Sequence, residues 1–489
     1  MIVDQVSRML AGETGLILPR DRSGEVTEFR AGQFDPADTG RSAPALVLFT
    51  SGSTGTPKGV GLSLDALTAS ARETERLLAG PGLWHLCLPA NHIAGFQVVF
   101  RSLLAGHTPS LASPGPFDAR SFAAELTALH ARAGAAPVYT SLVPTQLVRV
   151  LAVPEAASAA ARCAAVLVGG AALSPRLLER AQEAGIPLVR TYGMSETAGG
   201  CVYDGRPFPD VRVRLDAHGR VVLAGPVLAD GYLRVREDGG PGASGLGATV
   251  GSASGTRHAM GAPGATEVPE AAEPDGPLLT AVPNGILPGA GGPRGTADLG
   301  GAIPDGATDA VAPGFWGEGA ARLLVTSDLG RWEEAPSPSQ GAAGGGGGRL
   351  AILGRADDII ITGGENVSPH EVEAHLLRVA EPLGFREALV TSVPDEEWGQ
   401  VLVALLVPDA DHEVRPDGAS VPALLPPSVQ RTLQGGLRAL GMSPAQLPRA
   451  AYAVEEIPSR GIGKPDRRAA RELTQRCVSQ HFGSARFSG

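Results

Sequence analysis

Short apolar runs alternate with amphipathic stretches along the N-terminal part of the chain. Such runs predict buried strands, whereas apolar residues three and four positions apart predict helices. Strands and helices in alternation are typical of an α/β domain with a largely parallel sheet. The predicted strands are Leu46–Phe49, Leu83–Leu88, Pro137–Tyr139, Ala165–Val168 and Pro187–Val189, and the predicted helices are Leu64–Leu78, Phe117–Arg132 and Pro175–Ala184.

The C-terminal part of the chain has a shorter pattern of the same kind, which predicts a smaller α+β unit. A hairpin of Val211–Leu215 and Arg220–Leu223 precedes it. We predict a large domain over residues 1–354 and a small one over 355–489. The predicted strands of this region are Arg349–Leu353, Ile359–Ile361, Ala388–Val393 and Val401–Val407, and the predicted helices are Pro369–Arg378 and Asp466–Val478.

Two segments lose all periodicity. Residues of about 238–314 are mainly Gly, Ala, Pro and small polar types, and 341–348 is a glycine run. Loops of this length and composition inside a domain are typical of insertions or disordered segments. We therefore predict flexible excursions that carry no chemistry.

Composition and charge exclude several classes of protein. The chain has 489 residues, 43% of them apolar, and a formal net charge of −10. These values favour a globular protein and argue against a broad nucleic-acid-binding face. The four cysteines are far apart, and the N-terminus lacks the pattern of a secretion signal. We therefore predict a cytoplasmic protein without disulfides, a metal–thiolate site or a membrane span.

The only two lysines both lie in glycine-rich segments. Of the 41 lysine and arginine residues, only Lys58 and Lys464 are lysines. The sequence Thr50-Ser-Gly-Ser-Thr-Gly-Thr-Pro-Lys58-Gly59 directly follows an apolar run. Glycines let the backbone approach an anion, and consecutive amides form a nest for phosphate oxygens. The segment predicts a phosphate-binding loop, but not a Walker loop, because Gly59 follows the lysine.

Four further segments carry polar side chains. Thr191-Tyr-Gly-Met-Ser-Glu-Thr197 follows a predicted strand, at the edge where ligands collect in open α/β sheets. Thr326-Ser-Asp-Leu-Gly330 and Gly354-Arg-Ala-Asp-Asp358 offer a carboxylate and a guanidinium suited to ribose hydroxyls. Ser459-Arg-Gly-Ile-Gly-Lys-Pro465 contains the second lysine. Each motif alone is also explained as an ordinary loop or solvated turn.

Together and in this order, the pieces TSGSTGTPKG, YGMSET, SDLG, GRADD and GKPDR resemble those of the acyl-adenylate-forming superfamily. That superfamily includes acyl-CoA ligases, luciferases and the adenylation domains of peptide synthetases. The resemblance covers about Leu46–Leu233 and Leu323–Arg468. It implies a large layered α/β domain and a small α+β domain that swings on a hinge, with the active site between them.

The resemblance also implies a role for each matching residue. It makes Lys464 the adenylation lysine, Ser195 a contact of the α-phosphate and His92 the acyl-site histidine. Glu196 would bind Mg²⁺, and Asp357 would be the hinge. The implied nucleotide-binding residues are Thr50, Ser51, Gly52, Ser53, Thr54, Gly55 and Lys58 for the phosphates, Gly169, Gly170, Ala171 and Tyr192 for the adenine, and Asp328 and Arg355 for the ribose.

The implied activity is that of an ATP-dependent acid–CoA ligase, with ATP, Mg²⁺ and coenzyme A. The Gly199–Gly205 segment and the hairpin after it are most similar to actinobacterial 2-succinylbenzoate–CoA ligases of menaquinone synthesis. That acid has a second carboxylate, which needs a cation or hydrogen-bond donors. Arg190 and Arg101 are candidates by chemistry alone, and each is explained more readily as a structural or surface arginine.

Three alternatives stay open. Another aryl- or acyl-CoA ligase would carry the same motifs. A peptide-synthetase-type adenylation enzyme would need an acidic residue where this chain has Phe96-Gln97-Val98. A catalytically silent nucleotide-binding protein is the alternative from a different class, and the presence of Glu196, Asp328 and Lys464 argues against it. The sequence also leaves open whether two copies form a homodimer.

Overall fold

The structure is a computed structural model of the 489-residue chain. None of the helices that it describes is long and apolar enough to cross a bilayer. Most of the predicted excursion 238–314 and nearly all of the glycine run 341–348 lie outside the described residues. The structure describes residues 2–19, 25–30, 44–50, 58–237, 248–252, 313–316, 322–333, 348–409, 422–460 and 464–482.

The described segments contain both helices and strands throughout. The helices are α1 (Ile2–Leu10), α2 (Leu64–Leu77), α3 (Ile93–Leu104), α4 (Ala119–Ala133), α5 (Pro144–Leu151), α6 (Pro154–Ala161), α7 (Pro175–Glu183), α8 (Pro369–Ala380), α9 (Pro427–Ala439) and α10 (Arg467–Phe482). The strands are β1 (Thr14–Ile17), β2 (Thr27–Arg30), β3 (Leu46–Thr50), β4 (Lys58–Leu62), β5 (Leu83–Leu86), β6 (Ser110–Leu111), β7 (Val138–Leu142), β8 (Ala165–Gly169), β9 (Leu188–Met194), β10 (Gly199–Tyr203), β11 (Arg206–Pro207), β12 (Arg212–Leu215), β13 (Arg220–Ala224), β14 (Gly231–Glu237), β15 (Ala248–Ser252), β16 (Gly314–Trp316), β17 (Leu323–Glu333), β18 (Arg349–Arg355), β19 (Ile360–Thr362), β20 (Glu365–Val367), β21 (Phe385–Asp395), β22 (Gly399–Pro408), β23 (Ala423–Leu424), β24 (Ala450–Ala453), β25 (Ser459–Arg460) and β26 (Lys464–Pro465).

A seven-stranded sheet in the order β11-β10-β9-β8-β7-β5-β6 contains the predicted α/β alternation. Its strands β5 to β9 are parallel, which confirms that prediction for this sheet. Helices cover both faces. In β8, Val166 and Val168 share one hydrophobic cluster with Phe122 of α4, and Leu167 shares another with Phe100 of α3. Burial on both faces explains why these strands read as continuous apolar runs.

Two further sheets pack in the same N-terminal part and are mainly antiparallel. One has the order β15-β14-β4-β3-β1-β2, and the other has the order β12-β13-β17-β16 with β18 beside β17. Strand β15 lies inside the segment that was predicted to be a flexible excursion, and it pairs with β14 over five residues. Backbone pairing of this kind depends on the partner strand, so a composition-based prediction misses it.

Two motifs that were interpreted as loops or turns lie in strands instead. Strand β9 continues through Tyr192 to Met194, because β10 pairs with it on the side away from β8. Asp328 lies within β17, which pairs with both β13 and β18. Helix α3 is absent from the predicted elements because eight of its 12 residues are buried, so its sequence shows no polar face.

The C-terminal part is built on a four-stranded sheet in the order β21-β22-β24-β23. Helices α8 and α9 share a hydrophobic cluster with one face, and α10 shares a cluster with the other. Strand β22 is therefore buried on both sides, which explains the predicted apolar run Val401–Val407. The hydrophobic clusters of the two parts of the chain end at Leu350 and begin again at Ile360.

Candidate active site

The carboxyl ends of β8 and β9 form the first part of the site. Gly169 ends β8 and pairs with Thr191 of β9. A Cβ atom at Gly169 would lie 2.3 Å from the Thr191 Oγ1, so a side chain does not fit there. Gly170 has a φ of +82°, which glycine adopts without strain, and Ala171 is exposed. The turn after β8 therefore presents mainly backbone beside Tyr192.

A hydrogen bond between Tyr192 and Asp328 joins two sheets at this edge. The Tyr192 Oη donates to the Asp328 Oδ2 at 2.8 Å. Burial, and then the charge of Asp328, raise the pKa of Tyr192 well above its usual value, so the phenol stays protonated. The backbone N–H of Asp328 donates to the Thr326 Oγ1 at 3.1 Å. The bond from Tyr192 orients the Asp328 carboxylate, and the bond to Thr326 holds the backbone that carries it.

Arg355 lies opposite Asp328 in the β17–β18 ladder. Its Nη2 donates to the Asp357 Oδ2 at 2.7 Å. Burial by itself would lower the pKa of Arg355, but the hydrogen bond and charge of Asp357, together with the charge of Asp328, raise it overall. Arg355, which the resemblance implies for ribose binding, therefore forms an ion pair with Asp357, which it implies for the hinge.

The segment after β9 is a single 3₁₀ turn, Ser195–Thr197, held by several hydrogen bonds. The Thr197 Oγ1 accepts from the backbone N–H of Met194 at 2.9 Å. Ala198 follows with a φ of 52°, a left-handed conformation that is uncommon for residues other than glycine. From α3, the Gln97 Nε2 donates to the Ala198 carbonyl at 2.8 Å. The turn that presents the serine and the glutamate is therefore supported on both sides.

The Glu196 carboxylate is largely shielded from water. The Tyr232 Oη of β14 donates to the Glu196 Oε1 at 3.1 Å. Burial is the main cause that raises the pKa of Glu196, and this hydrogen bond only partly opposes it. The nearby charge of Asp328 adds to the increase. A bound cation would stabilise this poorly solvated carboxylate.

The Glu196 carboxylate suits a magnesium ion that takes most of its ligands from the phosphates of a bound nucleotide. Within the described residues, no group of three or more His, Cys, Asp and Glu side chains could hold a metal ion. Mg²⁺ often takes only one or two protein carboxylates and completes its shell with phosphate oxygens and waters. A single carboxylate such as Glu196 would meet that requirement if a nucleotide supplied the phosphate oxygens.

The backbone brings Lys58 back to the end of β3. Thr50 and Lys58 are paired in the antiparallel β3–β4 ladder, so the two ends of the predicted phosphate-binding loop lie side by side. Lys464 pairs with Arg460 in the β25–β26 hairpin. That the two lysines meet on one triphosphate stays a prediction. Outside the described residues lie Ser51, Gly52, Ser53, Thr54, Gly55 and the side chains of Lys58 and Lys464.

His92 is the N-cap residue of α3, with a φ of −113° and a ψ of 149°. The chain enters this helix closely packed, because a Cβ atom at Gly95 would lie 2.2 Å from the Pro89 carbonyl oxygen. The same helix carries Gln97, which contacts the turn after β9. Helix α3 therefore connects the implied acyl-site histidine with the implied metal-binding turn.

The two arginines considered for a second carboxylate both contact other protein groups. The Arg190 Nε lies 3.1 Å from the Asp204 Oδ1 in an exposed ion pair. Arg101 is 3% exposed, and its guanidinium carbon lies 5.4 Å from the centre of the Trp84 ring. These are the surroundings of a surface arginine and a structural arginine, so neither supports binding of the acid.

Reasoning from the sequence missed Tyr232 and Gln97. Tyr232 is one of only five tyrosines in the chain and follows Gly231, which offered a weak signal. Nothing local marks Gln97, whose contact spans 101 residues of sequence. Both residues act on the Glu196 turn through contacts that the fold alone creates.

Tyr192→Phe is expected to raise the KM for ATP about 10-fold, with a smaller change in kcat. It removes one hydrogen bond to a charged acceptor, worth about 1.5–3 kcal/mol, and so loosens the Asp328 carboxylate. Steady-state kinetics with varied ATP measure this. Tyr452→Phe is the matched control, because the Tyr452 hydroxyl has no hydrogen-bond partner among the described residues. An unchanged KM in Tyr192→Phe would remove the tyrosine from nucleotide binding.

Comparisons with known proteins give the site a context. The family described as AMP-binding enzyme matches residues 5–243. A probable 2-succinylbenzoate–CoA ligase of Mycobacterium tuberculosis is 34% identical over 426 residues, which are 87% of this chain and 83% of that protein. An indoleacetate–CoA ligase of Aromatoleum aromaticum is 27% identical over 91% of this chain and 71% of its own length. The o-succinylbenzoate CoA synthetase of Bacillus subtilis, solved with an acyl-adenylate intermediate, shares the fold with a TM-score of 0.55 and 21% identity, over 88% of this chain and 69% of that one.

Proposed function

This chain belongs to the family of AMP-binding enzymes, and we propose that it is an ATP-dependent acid–CoA ligase. The observation that carries the proposal is the juxtaposition of Tyr192, Asp328, Arg355 and Glu196 at one edge of the fold. We propose 2-succinylbenzoate as the acid, which makes the enzyme part of menaquinone synthesis. The relative at 34% identity supports that choice.

In this proposal the N-terminal part binds the nucleotide. The open turn after β8 and the Tyr192 ring bind the adenine. Asp328 accepts hydrogen bonds from ribose hydroxyls, and Arg355 donates to the same sugar. The segment between β3 and β4 binds the β- and γ-phosphates, and Ser195 contacts the α-phosphate. Glu196 holds Mg²⁺, which neutralises phosphate charge when it is bound.

The first half-reaction forms an acyl-adenylate. A carboxylate oxygen of the acid attacks the α-phosphorus, and the bond to the pyrophosphate leaving group breaks. Two anions must approach each other, so the chain has to cancel their repulsion before the bond forms. Lys464 and the loop amides supply positive charge and donors in a preorganised site. No protein side chain forms a covalent bond in this step.

The second half-reaction transfers the acyl group to coenzyme A. The thiol sulfur attacks the acyl carbon, the mixed-anhydride bond breaks and AMP leaves, while the thiol proton is released to solvent. We propose that residues 355–489 turn about Asp357 to present the Gly363–Asn366 hairpin for this step. A boundary at residues 354 and 355 is supported by the separate hydrophobic clusters on either side of it.

A panel of acids tests the function. The chain is incubated with ATP, Mg²⁺, coenzyme A and either 2-succinylbenzoate, benzoate, indoleacetate or a long-chain fatty acid, and acyl-CoA is detected by mass spectrometry. We expect 2-succinylbenzoyl-CoA with the highest kcat/KM, and formation at least about 10²-fold slower with Lys464→Ala. Preference for a fatty acid would overturn the substrate alone. Adenylate without thioester would favour a peptide-synthetase-type enzyme, and ATP binding without turnover would favour a silent binding protein.

A cytoplasmic location is part of the proposal. It is supported by the four cysteines, Cys87, Cys163, Cys201 and Cys477, which are all free. Burial raises the pKa of Cys87, Cys163 and Cys201 to about 12, so these thiols are not reactive nucleophiles. Association into a homodimer is tested by sedimentation of the purified chain.

A further inference from the structure

Arg467, the first residue of α10, makes an unusually large set of contacts with other parts of the chain. Its Nη1 and Nη2 donate to the two carboxylate oxygens of Glu373 in α8, at 2.9 and 3.0 Å. Its Nε lies 3.3 Å from the Asp358 Oδ2. Its Nη1 also donates to the Val390 carbonyl at 3.2 Å. The planar guanidinium thus binds one carboxylate in a bidentate manner and reaches two further segments.

The partner carboxylate, Glu373, is held from several sides. Its Oε1 accepts from the backbone N–H of Val390 at 2.9 Å, and its Oε2 lies 3.2 Å from the His370 Nδ1. Burial alone would raise the pKa of Glu373, but His370 and Arg467 lower it overall, so the carboxylate is charged. A partly buried pair with this many satisfied bonds has one geometry rather than many.

The same helix, α8, also fixes the segment that leads into Asp357. The Ser368 Oγ donates to the Leu353 carbonyl at 2.6 Å. A Cβ atom at Gly354 would lie 2.7 Å from the His370 Cδ2, so backbone and ring are packed closely. Asp358 reaches Arg467 directly. Residues 353–358 are therefore attached to α8 and to the start of α10.

The other end of this network lies next to Lys464. Lys464 lies in β26, which pairs with β25, and it precedes Arg467 by three residues. At the base of the hairpin the backbone N–H of Asp466 donates to the Pro458 carbonyl at 2.7 Å. The Asp466 Oδ1 accepts from the backbone N–H of Ala469 at 3.1 Å, which begins α10. The orientation of the hairpin thus depends on where the first turn of α10 is held.

We infer that Arg467 is a positioning residue that sets the Lys464 hairpin relative to residues 353–358 for adenylation. The inference rests on the proposed function, since it assigns Lys464 to that half-reaction. A misplacement of about 1 Å in a preorganised site costs up to about 10²-fold in rate. We expect Arg467→Ala to slow ATP–pyrophosphate exchange with the acid at least about 10-fold.

The control is the neighbouring residue Arg468. Its side chain is 82% exposed and pairs only with Glu472 one helical turn away among the described residues. Arg468→Ala removes the same charge from the same turn of α10 without touching Glu373 or Asp358. We expect its exchange rate to equal that of the wild-type chain.

A double-mutant cycle separates positioning from a general loss of structure. If Arg467 acts through Lys464, the variant with both Lys464→Ala and Arg467→Ala exchanges no more slowly than Lys464→Ala alone. If the fold-losses in exchange rate of the two single variants multiply in the double variant, the inference is overturned. An ion pair with only a structural role would lower the exchange rate by the same factor whether or not Lys464 is present. Where Arg467→Ala does not fold, Arg467→Met with Glu373→Met removes both charges together and enters the same cycle.

The outcomes also separate the inference from the proposed function. An active wild-type chain with Arg467→Ala equal to Arg468→Ala overturns the inference only. If the wild-type chain catalyses no pyrophosphate exchange with any acid of the panel, the proposed function is overturned and the inference with it. Non-additive losses in the cycle, together with a normal Arg468→Ala control, establish the positioning role.

Discussion

Lys464→Ala is expected to slow adenylation by at least about 10²-fold, which is the scale of losing one preorganised stabiliser of transition-state charge. The attacking carboxylate and the α-phosphate are both anions, and an ammonium group between them lowers the cost of their approach. Lys464 is one of only two lysines in the chain, which has 41 lysine and arginine residues in total. A compact ammonium group and a planar guanidinium are not interchangeable there, so Lys464→Arg should restore little activity.

Two assays test the role of Lys464. ATP–pyrophosphate exchange reports the first half-reaction, and thioester formation from supplied acyl-adenylate reports the second. We expect the first to fall and the second to survive, because the second needs no attack on phosphorus. Arg468→Ala, which removes a basic group four residues further on, should leave both unchanged. Exchange that stays intact in Lys464→Ala contradicts the assigned role.

Glu196→Gln is expected to lower kcat/KM for ATP with Mg²⁺ by at least about 10²-fold, the same scale of charge stabilisation. The substitution keeps the shape of the side chain and an oxygen that can accept from Tyr232, so it removes mainly the charge. Steady-state kinetics at several Mg²⁺ concentrations measure the loss. Unchanged activation by Mg²⁺ would exclude Glu196 as its protein ligand.

The wild-type chain should also bind Mg²⁺ in a pH-dependent way. Burial raises the pKa of Glu196 above its usual 4.5, and Mg²⁺ binds the charged form. As the pH falls towards this raised pKa, the proton competes with the ion, so the half-saturating Mg²⁺ concentration rises. In Glu196→Gln, we expect the half-saturating Mg²⁺ concentration to change with pH only through the titration of the ATP phosphates. Tyr232→Phe removes a donor that stabilises the carboxylate, so its Mg²⁺ dependence should shift to higher pH.

Thermal stability provides an independent check on Glu196. A carboxyl group whose pKa is raised on folding destabilises the protein above that pKa, and the cost disappears as the pH falls below its value of 4.5 in the unfolded chain. Without ligands, Glu196→Gln should therefore have a higher Tm than the wild-type chain at pH 7. The difference should shrink on acidification. A lower Tm at pH 7 would show that Glu196 stabilises the fold.

Most helices and strands could be predicted because their signals are local. Helix α7 begins after Ser174, as expected from a serine followed by Pro175, and the Ser174 Oγ accepts from the backbone N–H of Leu177 at 3.2 Å. The predicted helix Leu64–Leu78 and strand Val401–Val407 differ from α2 and β22 by at most two residues at either end. In these elements, periodicity, capping and burial agree with one another.

The errors fall where strands carry functional polar residues. Tyr192 and Asp328 interrupt apolar runs, so their motifs look like loops although both lie in paired strands. A polar side chain within a paired strand contributes nothing to a periodic apolar signal, and the partner strand lies outside the segment itself. The same reason hides β15, whose register is set by β14.

The sequence by itself determined the family, the order of its motifs and the chemical types of the groups at the candidate site. Side-chain chemistry and local backbone preference are properties of short segments, so they can be recognised without coordinates. Only the tertiary structure decided that Tyr232 faces Glu196, that Tyr192 donates to Asp328 and that Arg467 joins α8 to Asp358. Those contacts arise from sheet pairing and helix packing between distant parts of the chain, and no short segment contains the information that specifies them.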